Sequence, residues 1–105
     1  MAHKPETGLV HKIRAMLETS FPGFYFKTHG GPFQRAGLPD IIGLHRGRFI
    51  GIEVKIPGEE DSLTRLQEKT LALIRTFGGV GFMTTSVEDT KSQLRKEMKS
   101  WPIPR

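Results

Sequence analysis

Gly37-Leu-Pro-Asp40-Ile-Ile-Gly-Leu-His45-Arg-Gly-Arg-Phe-Ile50-Gly-Ile-Glu-Val-Lys55-Ile56 holds two runs rich in Ile, Val and Phe, separated by Arg46-Gly47. A glycine takes positive φ in a short turn without steric cost, so the stretch predicts a β-hairpin. With Arg46 and Gly47 as a two-residue loop, His45 pairs with Arg48, and counting outward sets Asp40 directly opposite Glu53. Opposed side chains share a face with Cβ atoms about 4.5–5.5 Å apart, where like charges repel. Lys55 points to that face too, because side chains alternate along a strand. Ile50, Ile52, Val54 and Ile56 fall on the other face without a polar member, and that face is assigned to the core.

A hairpin that only had to fold gains nothing from two facing carboxylates, one of which should hold its proton to higher pH. A divalent cation removes the conflict. Hard cations such as Mg²⁺ take one or two protein carboxylates together with water and phosphate oxygens. A neighbouring lysine adds a positive point charge for a phosphate or for negative charge developing in a reaction. Asp40, Glu53 and Lys55 therefore point to metal-assisted attack on a phosphodiester.

Pro39-Asp40 followed by Glu53-Val54-Lys55 resembles the PD-(D/E)xK nuclease signature. With Gly37, the Gly47-Arg48-Phe49 turn, Gln67 and Gly78-Gly79, the chain is similar to the VRR-NUC (virus-type replication-repair nuclease) branch from about Glu6 to Thr85. Glu-x-Lys alone arises by chance about once in 250 positions. The weight therefore rests on Pro-Asp at hairpin distance upstream and a glutamine-bearing helix downstream. The resemblance implies an αβββαβ restriction-endonuclease-like core with a mixed central sheet flanked by helices. It implies one or two Mg²⁺ or Mn²⁺ ions held by Asp40, Glu53 and the backbone carbonyl of Val54, with Lys55 orienting water or stabilising the pentacovalent phosphate. Products with 5′-phosphate and 3′-hydroxyl ends follow from the same resemblance. Small standalone members act on branched DNA such as Holliday junctions and are typical of phages and bacteria. The expected location is thus the cytoplasm of a bacterial or phage-infected cell.

At 105 residues, the chain predicts a single α/β domain, with a core over about 5–98 and a tail over 99–105. Hydrophobic residues at 36% and charged residues at 26% suit a globular fold. The absence of cysteine excludes disulfides and thiolate metal sites. No apolar run approaches the ~20 residues of a membrane span. Sixteen Lys and Arg against eleven Asp and Glu leave a formal charge of +5, which favours an anionic partner such as DNA without singling it out.

Pro5 suits a first helical turn, and Leu9, Val10, Ile13, Met16 and Leu17 follow at helical spacing, which predicts a helix over 5–19. Glu6 falls where a carboxylate suits the helix dipole; the resemblance adds an accessory metal-ligand role for it, with Glu18 a weaker candidate. Phe24 to Thr28 alternates as a first strand. The connection from His29 to Gly37, with three glycines and a proline, is of the long kind that often carries function. Lys27, His29 and Arg35 are candidates for DNA phosphate contact, against the alternative of an ordinary solvated loop. Glu59-Glu60-Asp61 reads as a solvated acidic run.

Thr64-Arg65-Leu66-Gln67 fits a capping box for a helix to about Phe77, stopped by Gly78-Gly79, with Leu66, Leu71, Leu73, Ile74 and Phe77 as its apolar surface. Gln67 thus has two competing roles: helix cap and, by the resemblance, partner of the catalytic lysine or attacking water. Val80 to Thr85 reads as a fourth strand beside the hairpin. Ser86 caps a last helix to about Met98, whose Lys91, Arg95, Lys96 and Lys99 contact either DNA or solvent. The four histidines have no zinc-like spacing, and Trp101 to Arg105 suggests a docking tail. Symmetric cutting of two strands requires two sites and hence a C2 homodimer. The competing reading is a non-catalytic basic DNA-binding or assembly module. Within the enzymes, a duplex DNA endonuclease is the alternative, disfavoured because so short a chain has little room to read bases.

Overall fold

The computed structural model of the protein describes residues 5–29 and 34–99. In chain order it forms α1 (Pro5–Ser20), β1 (Phe24–Lys27), β2 (Ile41–His45), β3 (Arg48–Val54), a 3-10 turn (Glu60–Ser62), α2 (Arg65–Thr76), β4 (Val80–Thr84) and α3 (Val87–Lys99). The four strands lie in one sheet in the order β1-β2-β3-β4. β1–β2 and β2–β3 are antiparallel, and β4 joins β3 in parallel. A parallel partner cannot be reached by a tight turn, and α2 makes the crossover.

Arg46 and Gly47 both have positive φ, 51° and 80°, as a type I′ turn requires, and the twist of that turn matches the strands it joins. The ladder runs from His45 opposite Arg48 to Ile41 opposite Ile52. Its next step sets Asp40 against Glu53. β3 is central and paired on both sides, so its alternation has two buried faces to serve.

Ile50, Ile52 and Val54 are fully buried with Ile41, Tyr25, Val80 and Phe82 beneath α1 and α3, which contribute Val10, Ile13, Leu17 and Leu94. Ile56 lies beyond the strand and is half-buried, so the core face of β3 ends one residue pair earlier than its sequence pattern predicts. On the other face α2 lies over β3 and β4. Gly51 and Gly81 are partners there. A Cβ on Gly51 would sit 2.7 Å from Ile74 Cδ1, and one on Gly81 2.8 Å from the Leu71 carbonyl oxygen; the helix approaches that closely because both positions lack a side chain.

α2 departs from expectation in what it buries. Leu71 is buried and Ile74 half-buried, whereas Leu66, Leu73 and Phe77 are exposed. The predicted cap is present: Thr64 Oγ1 accepts from Gln67 N at 3.1 Å, and Thr64 N donates to Gln67 Oε1 at 2.9 Å. Ser86 Oγ likewise accepts from Asp89 N at 2.9 Å at the start of α3. The outer edge of β4 is closed by side chains, with Arg75 Nη1 donating to the Gly81 carbonyl at 2.7 Å and Gln93 Nε2 to that of Met83 at 3.1 Å; such groups keep another strand from adding. Among the described residues no helix is long and apolar enough to cross a membrane. The readings on His3, on residues 30–33 and on the tail from 100 lie outside the described residues.

Candidate active site

The hairpin register brings Asp40 and Glu53 together at the end of the β2–β3 ladder. Asp40 is held from two sides. Its Oδ2 accepts from Val54 N at 2.9 Å, and its carbonyl accepts from Thr28 N at 2.9 Å. Thr28 Oγ1 also donates to the Pro39 carbonyl at 2.8 Å, which pins the end of β1 to the Pro39-Asp40 pair. Thr28 is a positioning contact that nothing in the sequence pattern announces.

Glu53 is only 2% exposed because β3 is central and α2 covers its face. Its Oε2 lies 3.6 Å from Lys55 Nζ and accepts from Gln67 Nε2 at 3.2 Å. Since Gln67 Oε1 is occupied by Thr64 N, the amide has one orientation, with its NH₂ group turned to Glu53. The capping role inferred for Gln67 is filled by one end of its amide, and the other end meets Glu53 rather than Lys55. Lys55 is buried with Glu53, a position that leaves an ammonium costly unless it is paired.

Burial pushes the Glu53 carboxyl up from its ordinary 4.5 to about 8. The charge of the Asp40 carboxylate pushes in the same direction, Lys55 pulls the other way, and Glu6 adds a further upward push. Burial and the facing Asp40 charge thus disfavour the ionised form of Glu53 unless positive charge offsets them. Glu53 Oε1 is buried and has no hydrogen-bond partner, which is expensive for a carboxylate oxygen.

These features fit a hard divalent cation. Asp40 and Glu53 supply two carboxylates, within the one or two that Mg²⁺ takes from a protein, and the orphaned Oε1 is the oxygen a cation would satisfy. Among the described residues no group of three or more His, Cys, Asp or Glu side chains gathers closely enough to hold a metal. Glu6, whose charge reaches Glu53 from the first turn of α1, therefore stands outside the compact pair, and further ligands would come from the Val54 carbonyl, water or substrate. Glu18 is exposed and lies 4.0 Å from Arg14.

Lys27, Arg35 and Asp40 line one cavity of about 370 Å³ beside the β1–β2 connection, which places two of the three residues expected to contact phosphate next to Asp40. His29 is exposed and does not line that cavity. The basic residues of α3 line a separate groove with Glu88, on the sheet face opposite Glu53. His45 is buried, its Nδ1 2.7 Å from the Pro22 carbonyl, in a structural role. Comparison with protein-family models, curated proteins and solved structures finds no match to this chain.

Proposed function

We propose that this chain is a Mg²⁺- or Mn²⁺-dependent nuclease of the PD-(D/E)xK type, hydrolysing DNA phosphodiesters with branched DNA as its preferred substrate. The observation that carries the reading is the opposition of half-buried Asp40 to buried Glu53, whose Oε1 has no hydrogen-bond partner, next to the Lys55 ammonium. A structural salt bridge needs one acid for one lysine; here a second acid, Asp40, faces the Glu53–Lys55 pair, and the added negative charge calls for a cation.

In this proposal Asp40, Glu53 and the Val54 carbonyl hold the cation, which when bound supplies Lewis-acid polarisation of a phosphate oxygen and makes water more acidic. Val54 N–H and Gln67 Nε2 orient the two carboxylates. Lys55, once Glu53 turns to the cation, is free to hold the attacking water or offset charge on the phosphoryl oxygens. Lys27 and Arg35 hold the DNA backbone on the side of Asp40. The products would carry 5′-phosphate and 3′-hydroxyl ends.

Cleavage of four-way junction, flap, duplex and single-stranded DNA, with Mg²⁺ or Mn²⁺ and an Asp40→Ala control, tests the proposal. Metal-dependent cutting of branched substrates, lost in the control, is expected. Binding of DNA without cutting of any substrate would leave the non-catalytic basic module, which the +5 charge alone supports, as the better account.

A further inference from the structure

The half of the sheet that α2 leaves uncovered is apolar. β1 and β2 turn Phe24, Phe26, Ile42 and Leu44 to the α2 side, and β3 adds Phe49. Phe24 pairs with Leu44, and Leu44 with Phe49, which makes one unbroken row across three strands. The rings of Phe24 and Phe26 lie 5.8 Å apart. Arg75 of α2 reaches the β4 edge. At 100° per residue, Leu73 and Phe77 then project from the opposite flank, toward the open half of the sheet. Exposure is 69% for Phe24, 48% for Leu44, 44% for Phe26 and Phe49, 38% for Leu73 and 83% for Phe77.

We infer that this surface is the interface through which a second copy of the chain docks. Taking about 200 Å² for a large apolar side chain, these six present roughly 600 Å² of apolar area. That is at the upper end of what monomers leave to solvent. It also matches the roughly 500 Å² of apolar surface that each partner brings to a standard interface of about 800 Å² per side. The six residues carry no charge, so the surface has nothing with which to hold phosphates, and two chains of net charge +5 approach each other most readily where charge is absent. Strand addition at β4 is blocked by Arg75 and Gln93. A twofold axis through the Leu44–Phe49 row makes the contact self-complementary. Glu53, four residues along β3 from Phe49, then lies about 13 Å from that row, so each copy carries its acidic pair near the rim of the interface.

The inference is independent of nuclease activity, and its test reads mass. Sedimentation velocity on the wild-type chain at 50 µM should show a species twice the 11.8 kDa of one chain. Phe24→Glu and Phe49→Glu, each at an exposed position and checked by circular dichroism for retained fold, should raise the dimer dissociation constant by at least about 30-fold. Arg95→Glu on α3 should leave the dimer intact. Because the chain has no cysteine, Leu44→Cys should form an intermolecular disulfide under mild oxidation. A monomeric wild type, or a dimer that survives both Phe→Glu changes, overturns the inference. So does a monomer whose DNA binding falls with Phe24→Glu, which would assign the surface to nucleic acid.

Discussion

Glu53 is where the physical conflict of this molecule is concentrated. Its carboxyl is pushed from 4.5 up to about 8 by burial and by Asp40, so the folded chain binds a proton there that the unfolded chain has released. The stabilisation linked to that proton is fully present below about pH 4.5 and is lost as pH rises through about 8. The melting temperature of metal-free protein should therefore fall from pH 5 to pH 8 more steeply for the wild type than for Glu53→Gln, which cannot ionise. Gln67 offers a second check. Gln67→Glu keeps the capping box, since glutamate serves at that position, but it sets a carboxylate where an amide now donates to Glu53 Oε2 at 3.2 Å. A loss of cleavage of about 10–100-fold with the helix content retained is the expected result, whereas unchanged cleavage would reduce Gln67 to a helix cap.

At the scale of elements, the hairpin and its register are legible in the sequence because a two-residue turn at Arg46-Gly47 leaves only one way to count. The opposition of Asp40 and Glu53 follows from that alone. α2 was less legible. Leu66, Leu73 and Phe77 form one apolar stripe, and Leu71 and Ile74 another, and nothing local says which is covered. The choice falls to the Gly51–Gly81 pair, a tertiary feature that seats the Leu71–Ile74 stripe and leaves the other exposed. Thr28 was invisible for a similar reason, since its hydroxyl acts across 11 residues on Pro39. Arg48 resembles a turn residue in sequence, yet it ties three elements together: its Nε donates to the Gly78 carbonyl at 2.9 Å, Nη1 to that of Glu97 at 3.3 Å, and Nη2 to Glu97 Oε1 at 3.2 Å. Arg48→Ala should cost about 2 kcal/mol, a fall in melting temperature of roughly 10 °C, by thermal denaturation.

At the scale of the whole molecule, the sheet separates three surfaces. The acidic pair lies at one end of the α2 face, the apolar half-sheet beside it, and the basic groove of α3 on the opposite face. Beyond Lys55, the cavity with Lys27 and Arg35 brings positive charge to the Asp40 side of the pair. If DNA is held there, its affinity falls linearly with the logarithm of salt concentration, and Lys27→Ala and Arg35→Ala should each make that slope shallower by about one unit. Equal slopes in wild type and variants would move the DNA contact elsewhere. The claim on which the account depends is that Asp40 and Glu53 together hold a divalent cation in place of the proton on Glu53. Calorimetric titration of Mn²⁺ into the protein, repeated in buffers of different ionisation enthalpy, measures both quantities. The account predicts one saturable site near Asp40 and Glu53, abolished by Asp40→Asn, with release of about one proton at pH 7, where Glu53 is still protonated, and close to none at pH 9. Absence of binding to the wild type, or binding that survives Asp40→Asn unchanged, would contradict it.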